Sequence, residues 1–246
     1  MSDPKGGRER PALVFLPAML CNEGLYRTQT ERLRELAEPM TLTVAEETMA
    51  KAAAEVLRLA PDHFVLAGTS YGGSLALEVV SRAPSRVLGL WLMGCNPGPH
   101  ADPATADRRN DRVRSGEFDR VVEELAGTIT YERGPHAVSA ENSFRRMAGE
   151  AGPDVFLRQN TALLGRRDRR PDLTGIVCPT LVVWGREDRL AAPQHGAEMG
   201  GLIPEARFVV LDACGHLPTL EQPDATVALA REWLGRVEHL RTRPAD

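Results

Sequence analysis

The sequence predicts an α/β fold, a mostly parallel sheet of about six strands with helices on both faces. Two observations carry that expectation. Short apolar runs without polar alternation recur along the chain, as strands buried on both faces require. Stretches of helical periodicity separate them, as strand–helix–strand crossovers require. A third, a long polar segment with no strand signal, predicts one helical insertion. With 246 residues, the chain is near the upper size for one hydrophobic core, so we read one domain with a subordinate insertion.

Residues 12–16 (ALVFL) read as a buried strand and 26–36 as an amphipathic helix. Residues 40–45 alternate as a strand does, and 49–59 are helical and rich in alanine. Another buried strand, 63–67 (HFVLA), leads into a helix over 72–81, and 87–93 (VLGLWLM) form the fourth strand. The pattern resumes with strands at 180–184 (TLVVW) and 207–211 (RFVVL), a helix over 194–202 and a closing amphipathic helix over 224–237. Residues 97–175, between the two regions, are polar, rich in arginine and acids, and read as several short helices. They break the alternation once, ahead of strand 180–184, as a cap over the sheet edge would. The expected organisation is an α/β core over 11–96 and 176–240, a cap over 97–175, and flexible tails at 1–10 and 241–246.

Hydrophobic residues make up 42% of the chain and charged residues 26%, the balance of a soluble globular protein. A net charge of −4 gives no electrostatic reason for a nucleic-acid or anionic-membrane partner. No run approaches the ~18 consecutive apolar residues of a spanning helix. The polar residues 1–10 are not followed by the apolar core of a secretory leader, so the expected location is cytoplasmic. The four cysteines are far apart and form no C-x-x-C pair, which speaks against a zinc site or a disulfide framework.

The sharpest local signal is Gly68-Thr69-Ser70-Tyr71-Gly72, which fits G-x-S-x-G and is followed by Gly73. The pattern alone is weak, because residue frequencies like these give a chance match about once in fifteen sequences. Its place is more telling. It follows a predicted strand and precedes a predicted helix, where a tight turn can expose a serine. Larger side chains at positions 68 and 72 would clash where the chain reverses. The helix N-terminus behind Ser70 also favours the negative charge that develops during attack.

A serine hydroxyl is a poor nucleophile until a base takes its proton. Of six histidines, His63 opens a strand, His100 and His136 fall in the insertion, His195 begins a helix and His239 is in the tail. His216 differs, because it lies in a loop just after the last strand, where sites in open α/β sheets are built. The third member must fix the imidazole tautomer. Asp188, three residues after the strand-ending Gly185, is the candidate; Glu187 and Asp212 compete with it, and Asp102 is more distant.

On these residues the chain resembles the α/β-hydrolase fold superfamily, whose triad runs in the order nucleophile, acid, histidine. Supporting stretches are CPTLVVWGRED over 178–188 and Gly215-His216-Leu217-Pro218, with Glu221 and Pro223 beyond them. The resemblance covers nearly the whole chain outside the insertion. It implies that 12–16 is the family's third strand and that the first two are absent here. It also implies an oxyanion hole made by the backbone N–H of Tyr71 and one from the loop after strand 12–16. That loop reads Leu16-Pro17-Ala18-Met19-Leu20-Cys21 where the family commonly begins His-Gly. Met19 is the expected second donor, with Ala18 the alternative.

Cys21, Cys95 and Cys214 would lie near the same sheet edge, but none holds the elbow position, and small hydrophobic packing is their expected role. The run Arg166-Arg167-Asp168-Arg169-Arg170 could bind an anionic substrate, against a default of solvated or internally paired side chains. The expected function is hydrolysis of a small or medium carboxylic ester through an acyl-enzyme on Ser70, with no metal or organic cofactor. Thioester, lactone or carbon–carbon cleavage, perhydrolysis and acyl transfer use the same triad, and a receptor-like binding protein can keep it without turnover.

Overall fold

The computed structural model describes residues 10–241. The expected tails lie outside the described residues except at their inner ends, Arg10 and Arg241. Six strands form one parallel sheet: β1 (Ala12–Leu16), β2 (Glu38–Thr41), β3 (Phe64–Thr69), β4 (Val87–Met93), β5 (Thr180–Gly185) and β6 (Ala206–Leu211). Their order is β2-β1-β3-β4-β5-β6, and every adjacent pair is parallel.

Alternation along the strands builds two cores. Leu13, Phe15, Val65, Ala67, Trp91, Met93, Leu181 and Val183 face one way. There they meet α1 (Arg27–Leu33) and α8 (Pro223–Arg241) through Leu33, Trp233 and Leu234. Val14, Leu66, Leu90, Leu92, Val182 and Trp184 face the other way. That side is covered by α2 (Met49–Leu59), α3 (Tyr71–Arg82) and α7 (Pro193–Leu202). Strands apolar on both faces are thus explained, since both faces are buried.

Two local expectations are corrected. The second strand runs over 38–41 rather than 40–45. It is an edge strand paired only with β1, and its register there runs from Ala12↔Glu38 to Phe15↔Thr41. Pro39 is tolerated there because an edge position need not donate on its outer side. The helix expected over 26–36 begins earlier, as a 3₁₀ turn at Glu23–Tyr26 capped by Asn22, whose side chain accepts the Gly24 N–H at 2.9 Å. Its α-helical part closes at Leu33, whose carbonyl takes the N–H groups of both Leu36 and Ala37.

Between β4 and β5 the chain inserts α4 (Pro103–Arg114), α5 (Phe118–Ile129) and α6 (Ala137–Leu164), with no strand among these residues. The short helices expected there include one long one. Its 28 residues are broken at Gly152 (φ 79°) ahead of Pro153, as a proline inside a helix dictates.

From β1 the chain passes to β2 on one side and then returns to β3 on the other. The loops after β1 and β3 therefore diverge at a topological switch point, the place where open α/β sheets form a crevice.

Candidate active site

The carboxyl edge of the sheet is where backbone strain collects. The three non-glycine residues with positive φ among the described residues are Leu20 (64°), Ser70 (55°) and Ala213 (52°). They lie in the loops after β1, β3 and β6. Each such conformation costs on the order of 1–3 kcal/mol and persists only where the surroundings impose it.

At Ser70 those surroundings are visible. A Cβ on Gly68 would lie 2.3 Å from the Gly72 carbonyl oxygen, and one on Gly72 would lie 1.9 Å from that of Leu16. The turn is closed so tightly that only hydrogen fits at either position. The Ser70 N–H donates to Met93 O at 2.8 Å, tying the elbow to the end of β4. Its side chain caps nothing in α3, so the hydroxyl is left for other work. Tyr26 stiffens the same corner. Its hydroxyl donates to Leu16 O at 2.9 Å and accepts from Thr69 Oγ1 at 2.8 Å, joining the ends of β1 and β3. In the sequence Tyr26 was legible only as a helix residue.

The structure brings His216 and Asp188 together. His216 Nδ1 is 2.8 Å from Asp188 Oδ2, with both side chains buried. A carboxylate only accepts, so Nδ1 carries the proton and Nε2 is left with a lone pair. Burial alone would lower the imidazole pKa. The charge and hydrogen bond of Asp188, with the Glu221 charge behind them, outweigh it and hold the pKa above the ordinary histidine value. The other oxygen of Asp188 accepts the N–H groups of Leu190 and Ala191, each at 2.9 Å, so the carboxylate cannot swing.

The competing acids are committed elsewhere. Glu187 accepts the Cys214 N–H at 2.9 Å, and Asp212 pairs with Arg186 on the surface. Asp102 caps α4 by accepting the Thr105 N–H at 3.0 Å.

Sequence reasoning gave Glu221 no role, yet it holds the histidine loop. Its buried carboxylate accepts from Gly215 N (2.7 Å) and Tyr131 N (2.8 Å) on one oxygen, and from Leu217 N (2.9 Å) on the other. The residues on both sides of His216 thus hang on one side chain. Burial pushes the Glu221 pKa up, and the three N–H bonds and the His216 charge only partly offset it. Glu221→Gln turns an amide NH₂ toward a backbone N–H. It should destabilise the fold by about 2 kcal/mol, the cost of a buried unmatched polar group. Urea unfolding checks it, and an unchanged midpoint would show that the carboxylate is not the clamp.

Met19, Ser70 and His216 line one cavity of about 190 Å³ with Cys95, Asn160 and Arg166. Tyr71 is the first residue of α3, where a backbone N–H has no partner inside the helix. In the loop after β1, the Leu20 N–H is already taken by Gln159 Oε1 at 2.9 Å, and Gln159 Nε2 donates to Val44 O at 3.1 Å. The inserted helix α6 therefore braces the loop that carries Met19 and Ala18. A larger cavity, about 400 Å³, opens near the C-terminal end of α3 beside Leu77, Val80 and Ile176, with no histidine in its lining.

The cysteines near the site are buried thiols with pKa values pushed up by burial, that of Cys95 to about 12. None is a ready nucleophile. The arginine run divides. Arg169 pairs with Glu78 and Asp172, and Arg170 with Asp168, whereas Arg166 lines the cavity with Ser70. Among the described residues no group of three or more His, Cys, Asp or Glu is placed to hold a metal, and no helix is long and apolar enough to cross a membrane.

A model described as the alpha/beta hydrolase family matches residues 17–229. The pimeloyl-[acyl-carrier protein] methyl ester esterase of Nitrosospira multiformis is 28% identical over 74% of this chain and 71% of its own length. Monoacylglycerol lipase abhd6-B of Xenopus laevis is 23% identical over 71% of this chain, and the match spans 56% of that lipase. Among solved structures, a thermophilic esterase from Thermogutta terrifontis superposes with a TM-score of 0.85 at 24% identity, over 93% of this chain and 91% of that one. The enol-lactonase from Burkholderia xenovorans LB400 gives 0.83 at 18% identity, over 95% and 94%.

Proposed function

The chain belongs to the alpha/beta hydrolase family, and from that premise we propose that it is a serine esterase acting on a small carboxylic ester. The observation that carries this is a buried His216–Asp188 pair, 2.8 Å apart, whose histidine lines one cavity with a serine on a strained elbow. Curated relatives from separate sources bear the names of esterases and lipases.

Ser70 Oγ attacks the ester carbonyl while His216 Nε2 takes its proton, and Asp188 steadies the imidazolium. The N–H groups of Tyr71 and Met19 hold the oxyanion, each bond worth roughly 3 kcal/mol in the transition state. The C–O bond to the alcohol then breaks, His216 returns the proton to the leaving oxygen, and Ser70 holds the acyl group. Water attacks in turn, giving its proton to His216, and the acid leaves as Ser70 recovers its hydrogen.

The residues 97–175 act as a cap in this reading, since Asn160, Leu163 and Arg166 wall the cavity. Its volume is below the ~300–1,000 Å³ of pockets that take drug-sized ligands, which favours a small substrate. Neither a nucleic acid nor a membrane is called for, and the protein works in the cytoplasm. A fluorophosphonate probe should label Ser70, and p-nitrophenyl esters of short acyl chains should be turned over. Absence of both would leave a binding protein as the better reading.

The pH profile follows from the histidine. Catalysis needs neutral His216, so kcat/KM should rise with pH through its pKa. Because that pKa is raised, the acid limb should have its midpoint above the ~6.5 of an ordinary histidine. Initial rates from pH 5 to 9 test this, and a midpoint below the ordinary value would contradict it.

A further inference from the structure

The walls of the Ser70 cavity carry two arginines without a paired acid. Arg109 of α4 and Arg166, just beyond α6, both line it, as do His100 and His195. No carboxylate does. Asp188 lies behind His216 with its side chain sealed from solvent, and is already shared between His216 and two backbone N–H groups.

The two arginines differ from their neighbours in lacking an acid. Arg166 donates from Nε to Gly98 O at 2.8 Å and from a terminal nitrogen to Pro99 O at 3.2 Å, both neutral carbonyls. Its environment is dry enough that burial lowers its pKa. The Arg109 side chain makes no hydrogen bond or ion pair among the described residues. Glu124, close enough to feel its charge, is gripped by two nitrogens of Arg112 at 2.7 and 2.8 Å. Both arginines are felt at one place in the cavity. The pKa of His100 is lowered by burial first, then by the charges of Arg166 and Arg109, against the pull of Asp102.

Both guanidiniums are half-buried, and each loses part of its hydration with no paired anion to replace it. A fork of N–H donors in a partly enclosed cavity is also the arrangement that takes a carboxylate in two parallel bonds. We propose that this site selects esters bearing a free carboxylate a few bonds from the reacting carbonyl, and that Arg109 and Arg166 receive that carboxylate. The inference rests on the esterase reading and narrows its substrate to half-esters of small dicarboxylic acids and their like.

The test compares monomethyl and dimethyl glutarate, which differ by one charge at nearly constant shape, in the wild type, Arg109→Gln, Arg166→Gln and Arg166→Lys. The wild type should prefer the half-ester, and each Gln variant should cut the half-ester to diester ratio of kcat/KM by about tenfold or more, mainly through KM for the half-ester. Arg166→Lys keeps a charge and should retain part of the preference. Arg109→Gln breaks no hydrogen bond among the described residues, so its result stands even where Arg166→Gln loosens the loop at 98–99. Free glutarate should also protect Ser70 from a neutral alkyl fluorophosphonate in the wild type, and fail to do so in Arg109→Gln. If Ser70 is labelled and the diester hydrolysed, yet the ratio and the protection are the same in all four proteins, the carboxylate inference falls and the esterase reading stands. If the wild type is neither labelled nor active on either ester, both fall together.

Discussion

Ser70→Ala should abolish turnover and leave the fold intact. A loss of roughly 10⁶ in kcat is the scale on which a serine hydrolase fails without its nucleophile. The structural side is equally specific. The Ser70 N–H bond to Met93 O is a backbone contact that alanine keeps, and the hydroxyl caps no helix. Alanine has the same Cβ as serine, so the strain at φ 55° neither grows nor disappears. Stability should therefore change by no more than about 0.5 kcal/mol, the range of a substitution that breaks no packing or buried bond. Paired measurements of kcat and urea unfolding decide it. Near-normal turnover with unchanged stability would remove Ser70 from the chemistry.

The strand pattern was legible in the sequence because strands buried on both faces must be apolar throughout, and β1, β3, β4, β5 and β6 were placed to within a residue or two. β2 was misplaced because an edge strand is defined by its register with a single neighbour, here Ala12–Phe15, and not by the alternation of residues 40–45. The elbow was legible because steric necessity writes itself into glycine at 68 and 72. His216 and Asp188 were legible through their places at strand ends. Glu221, Tyr26, Gln159 and Arg109 were not. The first three act through partners distant in sequence: Glu221 reaches Tyr131, Tyr26 reaches Thr69, and Gln159 reaches Leu20 and Val44. Arg109 stands out only by its place on the cavity wall. No local pattern distinguishes such a side chain from an ordinary surface or helix residue. The arginine run was legible only as a whole, since its four arginines look alike in sequence, yet Arg169 and Arg170 pair with acids while Arg166 lines the cavity.

Asp188→Asn should fold and lose about 10⁴ in kcat, and the hydrogen bonds around it say why. One oxygen of Asp188 accepts two backbone N–H groups, and the other faces His216 Nδ1. An asparagine must place its single oxygen on one side or the other. Turning NH₂ toward the N–H groups of Leu190 and Ala191 sets donor against two donors in a buried place, so the oxygen goes there and the NH₂ faces the imidazole. His216 Nδ1 must then accept, its proton moves to Nε2, and the nitrogen that should take the Ser70 proton is already occupied. Asp212→Asn removes an exposed ion pair with Arg186, which is worth at most about 1 kcal/mol and lies away from the imidazole. Glu187→Gln keeps an oxygen that can accept the Cys214 N–H, so its effect should stay within roughly tenfold, about 1.4 kcal/mol of barrier. The three variants, compared in kcat on one p-nitrophenyl ester, separate the candidates. A crippled Asp212→Asn beside a mild Asp188→Asn would mean that the acid is Asp212, and that the 2.8 Å contact between His216 and Asp188 does not orient the base.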